Sequence, residues 1–189
     1  MKLVILDRDG TINEDREDFV KSPAEWVPIP GSLEAIARLN HAGWHTVVAT
    51  NQSGLARGLF DMATLNAIHA RMHRELAELG GRIDAVFFCP HGPDDGCSCR
   101  KPLPGLFEQI GERFGVDLKT TYAVGDTPRD LQAGATAGCQ PHLVLTGKAE
   151  ALRGQPLPAG TYPADTVVHQ DLAAFADWLL ARAPAPRPT

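Results

Sequence analysis

Lys2-Leu3-Val4-Ile5-Leu6-Asp7-Arg8-Asp9-Gly10-Thr11-Ile12-Asn13 is the stretch that decides the fold. Its first half is a short apolar run rich in branched side chains, and it stops at an acidic residue. An apolar run without alternation suits a strand buried on both faces, as in a parallel sheet covered by helices. Gly10 lets the chain turn, so Asp7 and Asp9, two apart at a strand end, can face one crevice. One carboxylate can then attack while the other moves protons. Toward a phosphate, such a nucleophile needs the charge of its target offset. A hard cation with oxygen ligands, Mg²⁺ above all, does that.

Working outward, four more runs read as buried strands: Trp44–Ala49, Ala85–Cys89, Thr121–Val124 and Pro141–Leu145. Between them, helical spacing predicts helices over Ser32–His41, Asp61–Leu79, Pro104–Phe114 and Pro128–Ala137, with a closing helix over Asp171–Arg182. Asp61 is a plausible N-cap, and Gly80-Gly81 ends the second helix. Pro128 sits near N1, where its missing N–H costs nothing. Strands alternating with helices imply right-handed βαβ units and a three-layer, Rossmann-like α/β fold with a parallel sheet. Chemistry in such sheets collects at the carboxyl ends of the strands. Thr146–Asp165, rich in Gly, Pro and Ala, is expected to be a surface connection, and Ala183–Thr189 a disordered Pro-rich tail. Residues 1–182 are expected to form one domain, since no interval between strands is long enough for a second.

The chain has 189 residues, 43% hydrophobic and 22% charged, with a net charge of −5. These are ordinary values for a soluble globular protein, and the acidic balance argues against a general nucleic-acid binder. Only five residues follow Met1 before Asp7, too few for a signal h-region or a membrane span, so a cytoplasmic protein without a membrane partner is expected. No heptad pattern argues for a dimer, so a monomer is expected.

Three further segments carry chemistry. Thr50-Asn51-Gln52-Ser53-Gly54 follows the second strand, where a hydroxyl and free backbone N–H groups can hold phosphoryl oxygens. Arg100-Lys101-Pro102 precedes a helix: Lys101 can act as a point charge beside Asp7, and Arg100 can clamp an oxyanion bidentately. Gly125-Asp126-Thr127-Pro128-Arg129-Asp130 ends the fourth strand, and Asp126 there can be a helix N-cap, a metal ligand, or both. Of the four cysteines, Cys89, Cys97 and Cys99 crowd into one loop with His91. Three thiolates and an imidazole make a closed tetrahedral Zn²⁺ set with no open position, so the zinc is expected to be structural and to fix the loop that leads into Arg100 and Lys101.

Together these segments resemble the motifs of the haloacid dehalogenase (HAD) superfamily of phosphotransferases, over Lys2 to about Gly147. The resemblance implies that Asp7 is the nucleophile, that Asp9 is the general acid/base with its backbone carbonyl on Mg²⁺, and that Thr50 and Lys101 hold the transferring phosphoryl group. It also implies that Asp7 and Asp126 coordinate Mg²⁺ and that Asp130 orients a water ligand or the loop. Within that superfamily, D-R-D-G-T-I-N, T-N-Q-S-G-L-A-R-G, C-R-K-P and the cysteine loop look like the D-glycero-D-manno-heptose 1,7-bisphosphate phosphatase branch, whose relatives include histidinol-phosphate phosphatases and lack a large cap domain. The resemblance implies a small phosphorylated sugar as substrate and removal of its C7 phosphate, for lipopolysaccharide or glycoprotein heptose. Asn51, Gln52, Ser53 and Arg100 would contact substrate, and Asp15, Arg16, Glu17 and Asp18, a stretch without an aromatic residue, would line the sugar pocket. A histidinol-phosphate or other sugar phosphatase is the alternative on the same scaffold. A non-catalytic zinc-stabilised binding module is the alternative of another class. His69 and His73 lack the intervening Glu of H-E-x-x-H and are expected at the surface. Cys139 and the tryptophans Trp26, Trp44 and Trp178 are expected to be packing residues, and Arg57 and Arg71 simply solvated.

Overall fold

A computed structural model describes residues 1–182; the Pro-rich stretch 183–189 lies outside the described residues. The elements are β1 (Leu3–Leu6), α1 (Ser32–His41), β2 (His45–Asn51), α2 (Met62–Glu78), β3 (Ala85–Cys89), α3 (Gly105–Phe114), β4 (Tyr122–Gly125), α4 (Pro128–Ala137), β5 (Gln140–Val144), β6 (Val167–His169) and α5 (Leu172–Arg182). All six strands are parallel, in the order β3-β2-β1-β4-β5-β6. The chain builds outward from β1 to β3, then returns to the other side of β1 to lay down β4. That reversal opens a crevice at the carboxyl ends of β1 and β4, the place where ligands bind in open α/β sheets.

The period of two along β1 sorts its side chains into two cores. Val4 and Leu6 pack with α1, α2 and α5, while Leu3 and Ile5 pack with α3 and α4. None of the four is more than 1% exposed, and burial of each contributes roughly 1.5–3 kcal/mol. The expected three-layer α/β architecture is therefore observed, and among the described residues no inserted cap domain interrupts it. The Asp61 side chain accepts from the Thr64 backbone N–H at 2.8 Å, capping α2 as expected.

Two expectations need correction. β6 was not anticipated, because three residues are too few to show a period. The stretch Thr146–Asp165 is more than a surface connection: it opens with a 3₁₀ turn at Gly147–Leu152, and Ala149, Leu152, Leu157 and Tyr162 pack against Leu131, Leu143 and Leu145 in a small third core.

A buried histidine pair joins β5 to β6. His142 Nδ1 lies 2.9 Å from His169 Nε2, and the stacked rings sit among Phe175 and Trp178. Burial, then the neighbouring charges of His169 and Arg182, push His142 down to about 3; burial and Arg182 push His169 down to about 4. Both rings are neutral when folded but charge near pH 6.5 when unfolded. Their contribution to stability is thus complete above pH 6.5 and is lost as pH falls from there toward 4. By pH 5 the loss at His142 is on the order of 2 kcal/mol, with less from the more accessible His169. The urea midpoint of the protein should fall between pH 7 and pH 5, and His142→Phe should flatten that slope. A variant that kept the full slope would acquit the pair.

Candidate active site

The crevice is built by four strand ends. The Asp7 N–H donates to the Val124 carbonyl at 2.9 Å, so the first carboxylate is fixed where β1 meets β4. Gly10 then turns the chain at φ +86, and Gly147, after β5, has φ +53. A Cβ on Gly10 would lie 2.1 Å from Asp126 Oδ2, and one on Gly147 would lie 2.3 Å from the same atom. Only residues without side chains let these two loops close over Asp126. The Thr146 hydroxyl locks them together by donating to the Gly10 carbonyl at 2.6 Å.

Lys101 supplies the buried positive charge. Its Nζ lies 2.8 Å from Asp7 Oδ1 and 2.7 Å from Asp130 Oδ1, and it donates to the Ala49 carbonyl at 2.7 Å. All three ammonium donors are thus engaged. Burial alone would lower Lys101, but the carboxylates of Asp130 and Asp7 outweigh it and hold the ammonium above its ordinary range. Asn51 ties this lysine to the end of β2: its Nδ2 donates to the Lys101 carbonyl at 3.1 Å, and its Oδ1 accepts from the Lys101 N–H at 3.0 Å.

Negative charge still exceeds positive. Burial, with the charges of Asp130 and Asp9, raises Asp7 to about 7 against the pull of Lys101. Burial, then Asp130 and Asp7, raises Asp126 well above the carboxylate range. Oxygens of Asp7, Asp126 and Asp130 all lie within 4.8 Å of one another. Asp130 has none to spare: Oδ1 holds Lys101, and Oδ2 accepts from the Thr127 N–H and hydroxyl at 3.0 and 2.8 Å. Asp126 Oδ1 is buried without any partner, and only Oδ1 of Asp7 takes a donor among the described residues. An orphaned carboxylate oxygen beside an electronegative cleft is what a hard divalent cation requires, so the site fits the magnesium ion that the sequence implied.

Asp9 has a different setting. Its carboxylate takes the Arg8 guanidinium, Asn13 Nδ2 at 2.9 Å and Gln52 Nε2 at 3.0 Å. Burial would raise it, but the charge of Arg8 and these hydrogen bonds prevail and keep it below the usual range. Gln52 also donates to the Thr50 hydroxyl at 3.0 Å, so the ends of β1 and β2 share one network.

A family model described as HAD-hydrolase-like matches residues 98–174. The D-glycero-beta-D-manno-heptose-1,7-bisphosphate 7-phosphatase of Bordetella bronchiseptica is 61% identical over 183 residues, 97% of this chain and 100% of the relative. The chain belongs to the D-glycero-beta-D-manno-heptose-1,7-bisphosphate 7-phosphatase family. Its Pseudomonas aeruginosa member is 55% identical, across 94% of this chain and 97% of that one. A crystal structure of the D,D-heptose 1,7-bisphosphate phosphatase from B. bronchiseptica, complexed with magnesium and phosphate, superposes with a TM-score of 0.92 over 97% of this chain and 100% of that chain.

Most of the residues picked out in sequence line one cleft of about 420 Å³, as expected of a heptose-bisphosphate phosphatase: Asp7, Asp9, Thr50, Lys101 and Asp126, with Asn51 to Ser53, Arg100 and Asp15 to Glu17. Asp18 is the exception. It turns away to ion pairs with Arg16 at 3.0 Å and Lys21 at 2.9 Å. Thr127, not Asp126, caps α4, in a capping box with Asp130. Phe19, Arg57, Arg129 and Lys148 also line the cleft and were not anticipated. Arg57 is exposed, as expected, but it also lines the cleft, with its guanidinium 5.5 Å from the Phe19 ring centroid. Its place directly after T-N-Q-S-G-L-A was the available signal; Arg129 and Lys148 had none. Arg71, by contrast, is not simply solvated: it pairs with Glu75 at 2.6 Å and its guanidinium stacks over Trp26. His69 is buried rather than at the surface, whereas His73 is exposed. Cys139 and Trp26 are core residues as expected.

The cysteine loop closes as its spacing suggested. The donor atoms of Cys89, His91, Cys97 and Cys99 lie within 4.8 Å of one another, and all three cysteines are free thiols. Cys89 and Cys97 sulfurs are 3.7 Å apart, close to the roughly 3.8 Å between two thiolates on one tetrahedral ion with bonds of about 2.3 Å. Cys89 and Cys99 approach to 2.9 Å, far beyond the length of a disulfide bond. The four residues can therefore hold a metal ion. Cys89 pairs across β3 with Asn51 of β2, so the cluster is anchored to the strand end that carries the active-site network. Among the described residues, no helix is long and apolar enough to cross a membrane.

Proposed function

We propose that the chain removes the C7 phosphate of D-glycero-D-manno-heptose 1,7-bisphosphate, leaving heptose 1-phosphate, through a phosphoryl group carried on Asp7. The observation that carries this proposal is the Lys101 ammonium shared by Asp7 and Asp130 at 2.8 and 2.7 Å. It fixes Asp7 Oδ1 and leaves the other oxygen to the cleft. Residues 1–182 are one catalytic unit in this proposal, working as a monomer in a reducing cytoplasm that keeps the cysteine loop as thiols.

Magnesium, held by Asp7, Asp126 and the Asp9 carbonyl, would offset the negative charge of the phosphate. Lys101 and the Thr50 hydroxyl stabilise the equatorial oxygens as charge builds on them. Asp7 attacks phosphorus, the bond from phosphorus to the C7 oxygen breaks, and Asp9 gives that oxygen a proton, because an alkoxide leaves poorly. Asp9 then takes a proton from water, whose oxygen attacks phosphorus and frees Asp7. The proton that Asp9 takes in this second step is the one it gives to the next leaving oxygen, and the donors around it favour the carboxylate that accepts it.

The walls of the cleft favour a second phosphate. Arg57, Arg100 and Arg129 form no ion pair among the described residues, and the Arg100 guanidinium is pushed down by burial and then by the charges of Arg129 and Arg57. Of the other cations lining the cleft, Arg16 is taken by Asp18 and Lys148 by Asp15. The C1 phosphate therefore belongs on the Arg57, Arg100 and Arg129 side, and the sugar hydroxyls beside Asp15 and Glu17. Three unpaired cations disfavour the cationic amine of histidinol phosphate. Phosphate release with Mg²⁺ should be fastest from heptose 1,7-bisphosphate, tested as both anomers beside fructose 1,6-bisphosphate and histidinol phosphate. Faster release from histidinol phosphate, or release that ignores Mg²⁺, would refute the assignment.

The metal of the cysteine loop is zinc in this proposal, and its role is structural, since four protein donors leave no open position. It holds the loop that delivers Arg100 and Lys101. Cys97→Ala should lose the bound zinc and, through misplacement of Lys101, about 10²-fold in kcat. Full activity in zinc-free Cys97→Ala protein would end this role.

A further inference from the structure

Arg8 stands between the two catalytic aspartates, yet the residue is 0% exposed and takes no part in lining the cleft. Burying a guanidinium costs several kcal/mol unless its donors are matched, and an apolar residue of similar volume would often fold as well. Here the donors converge on one target. Nη2 lies 2.9 Å from Asp9 Oδ1 and 3.2 Å from Oδ2, and Nε lies 3.3 Å from Oδ1. Nη1, on the far side of the guanidinium, lies 3.1 Å from Nε2 of His69 on α2. A guanidinium has no acceptor, so His69 Nε2 must accept and the ring must be neutral with its proton on Nδ1. Burial, then the adjacent Arg8 charge, pushes His69 down to about 3, in keeping with that tautomer. A chain of contacts thus runs from α2, through a guanidinium whose three nitrogens each have a partner, to the carboxylate that has to meet the leaving oxygen. Asn13 and Gln52 reach the same carboxylate from the other sides.

We infer that Arg8 and His69 are positioning residues for proton transfer: His69 anchors the guanidinium, and the guanidinium holds the Asp9 carboxyl at the leaving oxygen of the substrate. The inference rests on the phosphatase mechanism proposed above. It differs from a merely structural role in one respect. A misplaced proton donor harms departure of an alkoxide far more than departure of an aryl oxide, which leaves without a proton.

The test reads the first chemical step alone, with enzyme in excess over substrate, for heptose 1,7-bisphosphate and for p-nitrophenyl phosphate. His69→Leu and Arg8→Lys should slow sugar release by roughly 10²-fold, the lower range for general acid catalysis, with little change in KM. The same variants should lose far less on the aryl phosphate, whose turnover also reports that they fold. His69→Gln, whose side-chain oxygen can still accept from Arg8, should recover most of the sugar rate. Equal losses on the two substrates, or no loss on either, would overturn the inference. Wild-type protein that releases no sugar from the bisphosphate would instead bring down the mechanism beneath it, and the inference with it.

Discussion

Asp7→Asn is expected to release no measurable phosphate from heptose 1,7-bisphosphate while melting at or above the wild-type temperature in metal-free buffer. The rate should fall by a factor on the order of 10⁴–10⁶, the scale seen when a covalent nucleophile is removed. An amide has neither the charge nor the lone-pair basicity to form the phosphoryl bond. Stability should survive for a separate reason. Burial, and after it the charges of Asp130 and Asp9, lift the Asp7 carboxyl to about 7. Replacing it by a neutral isostere relieves repulsion, and Lys101 keeps Asp130 and the Ala49 carbonyl as partners. Inactive protein that had also lost its cooperative melt would show a structural aspartate rather than a nucleophile.

Lys101→Met is expected to damage both activity and stability. Among the described residues the ammonium is the one cation in contact with Asp7 and Asp130, and it is only 2% exposed. Removing one partner of a buried pair leaves an uncompensated charge and costs about 3–5 kcal/mol. Without metal the melting temperature should therefore drop sharply. Mg²⁺ should restore part of it, because a cation near Asp7 and Asp126 relieves the same excess of negative charge. The rate should fall by roughly 10²–10³-fold, the loss seen when one donor to a transition-state oxyanion is removed. If Lys101→Met protein melted like wild type in EDTA, the electrostatic description of this cleft would be wrong.

The parts of the molecule that were legible in sequence share a physical cause. Parallel strands read as unbroken apolar runs, so β1, buried throughout, and β3, at the sheet edge, could both be placed from their residues alone. Helices with one apolar face show a 3.6 period, which gave α1 and α4 to the residue. Asp7, Thr50, Lys101 and Asp126 were legible because a parallel sheet delivers strand ends to one edge. Direction along the sheet is topological, but the facing of a single side chain is not. Asp18 and Arg16 belong to one predicted wall, yet their ion pair turns Asp18 outward. Thr127 rather than Asp126 caps α4, because Asp126 is needed inside the crevice and the hydroxyl one residue later can close a box with Asp130. His69 was misread through its pairing with His73. The better signal was its place on the stripe of Leu65, Ile68, Met72 and Leu76, the buried positions of α2. Arg57 and Arg129 gather at the cleft only once β2 and β4 are folded side by side of β1, which no local pattern encodes.

The central claim is that phosphorus is bonded to Asp7 during turnover. Rapid acid quench of the protein with Mg²⁺ and heptose 1,7-bisphosphate, followed by digestion and mass spectrometry, tests it directly. A phosphoryl group should appear on the peptide that contains Asp7 within one turnover and vanish as substrate is exhausted, and Asp7→Asn protein should never carry it. Phosphate released at the full rate with that peptide unmodified at every time, or with the phosphoryl group on another residue, would contradict the account.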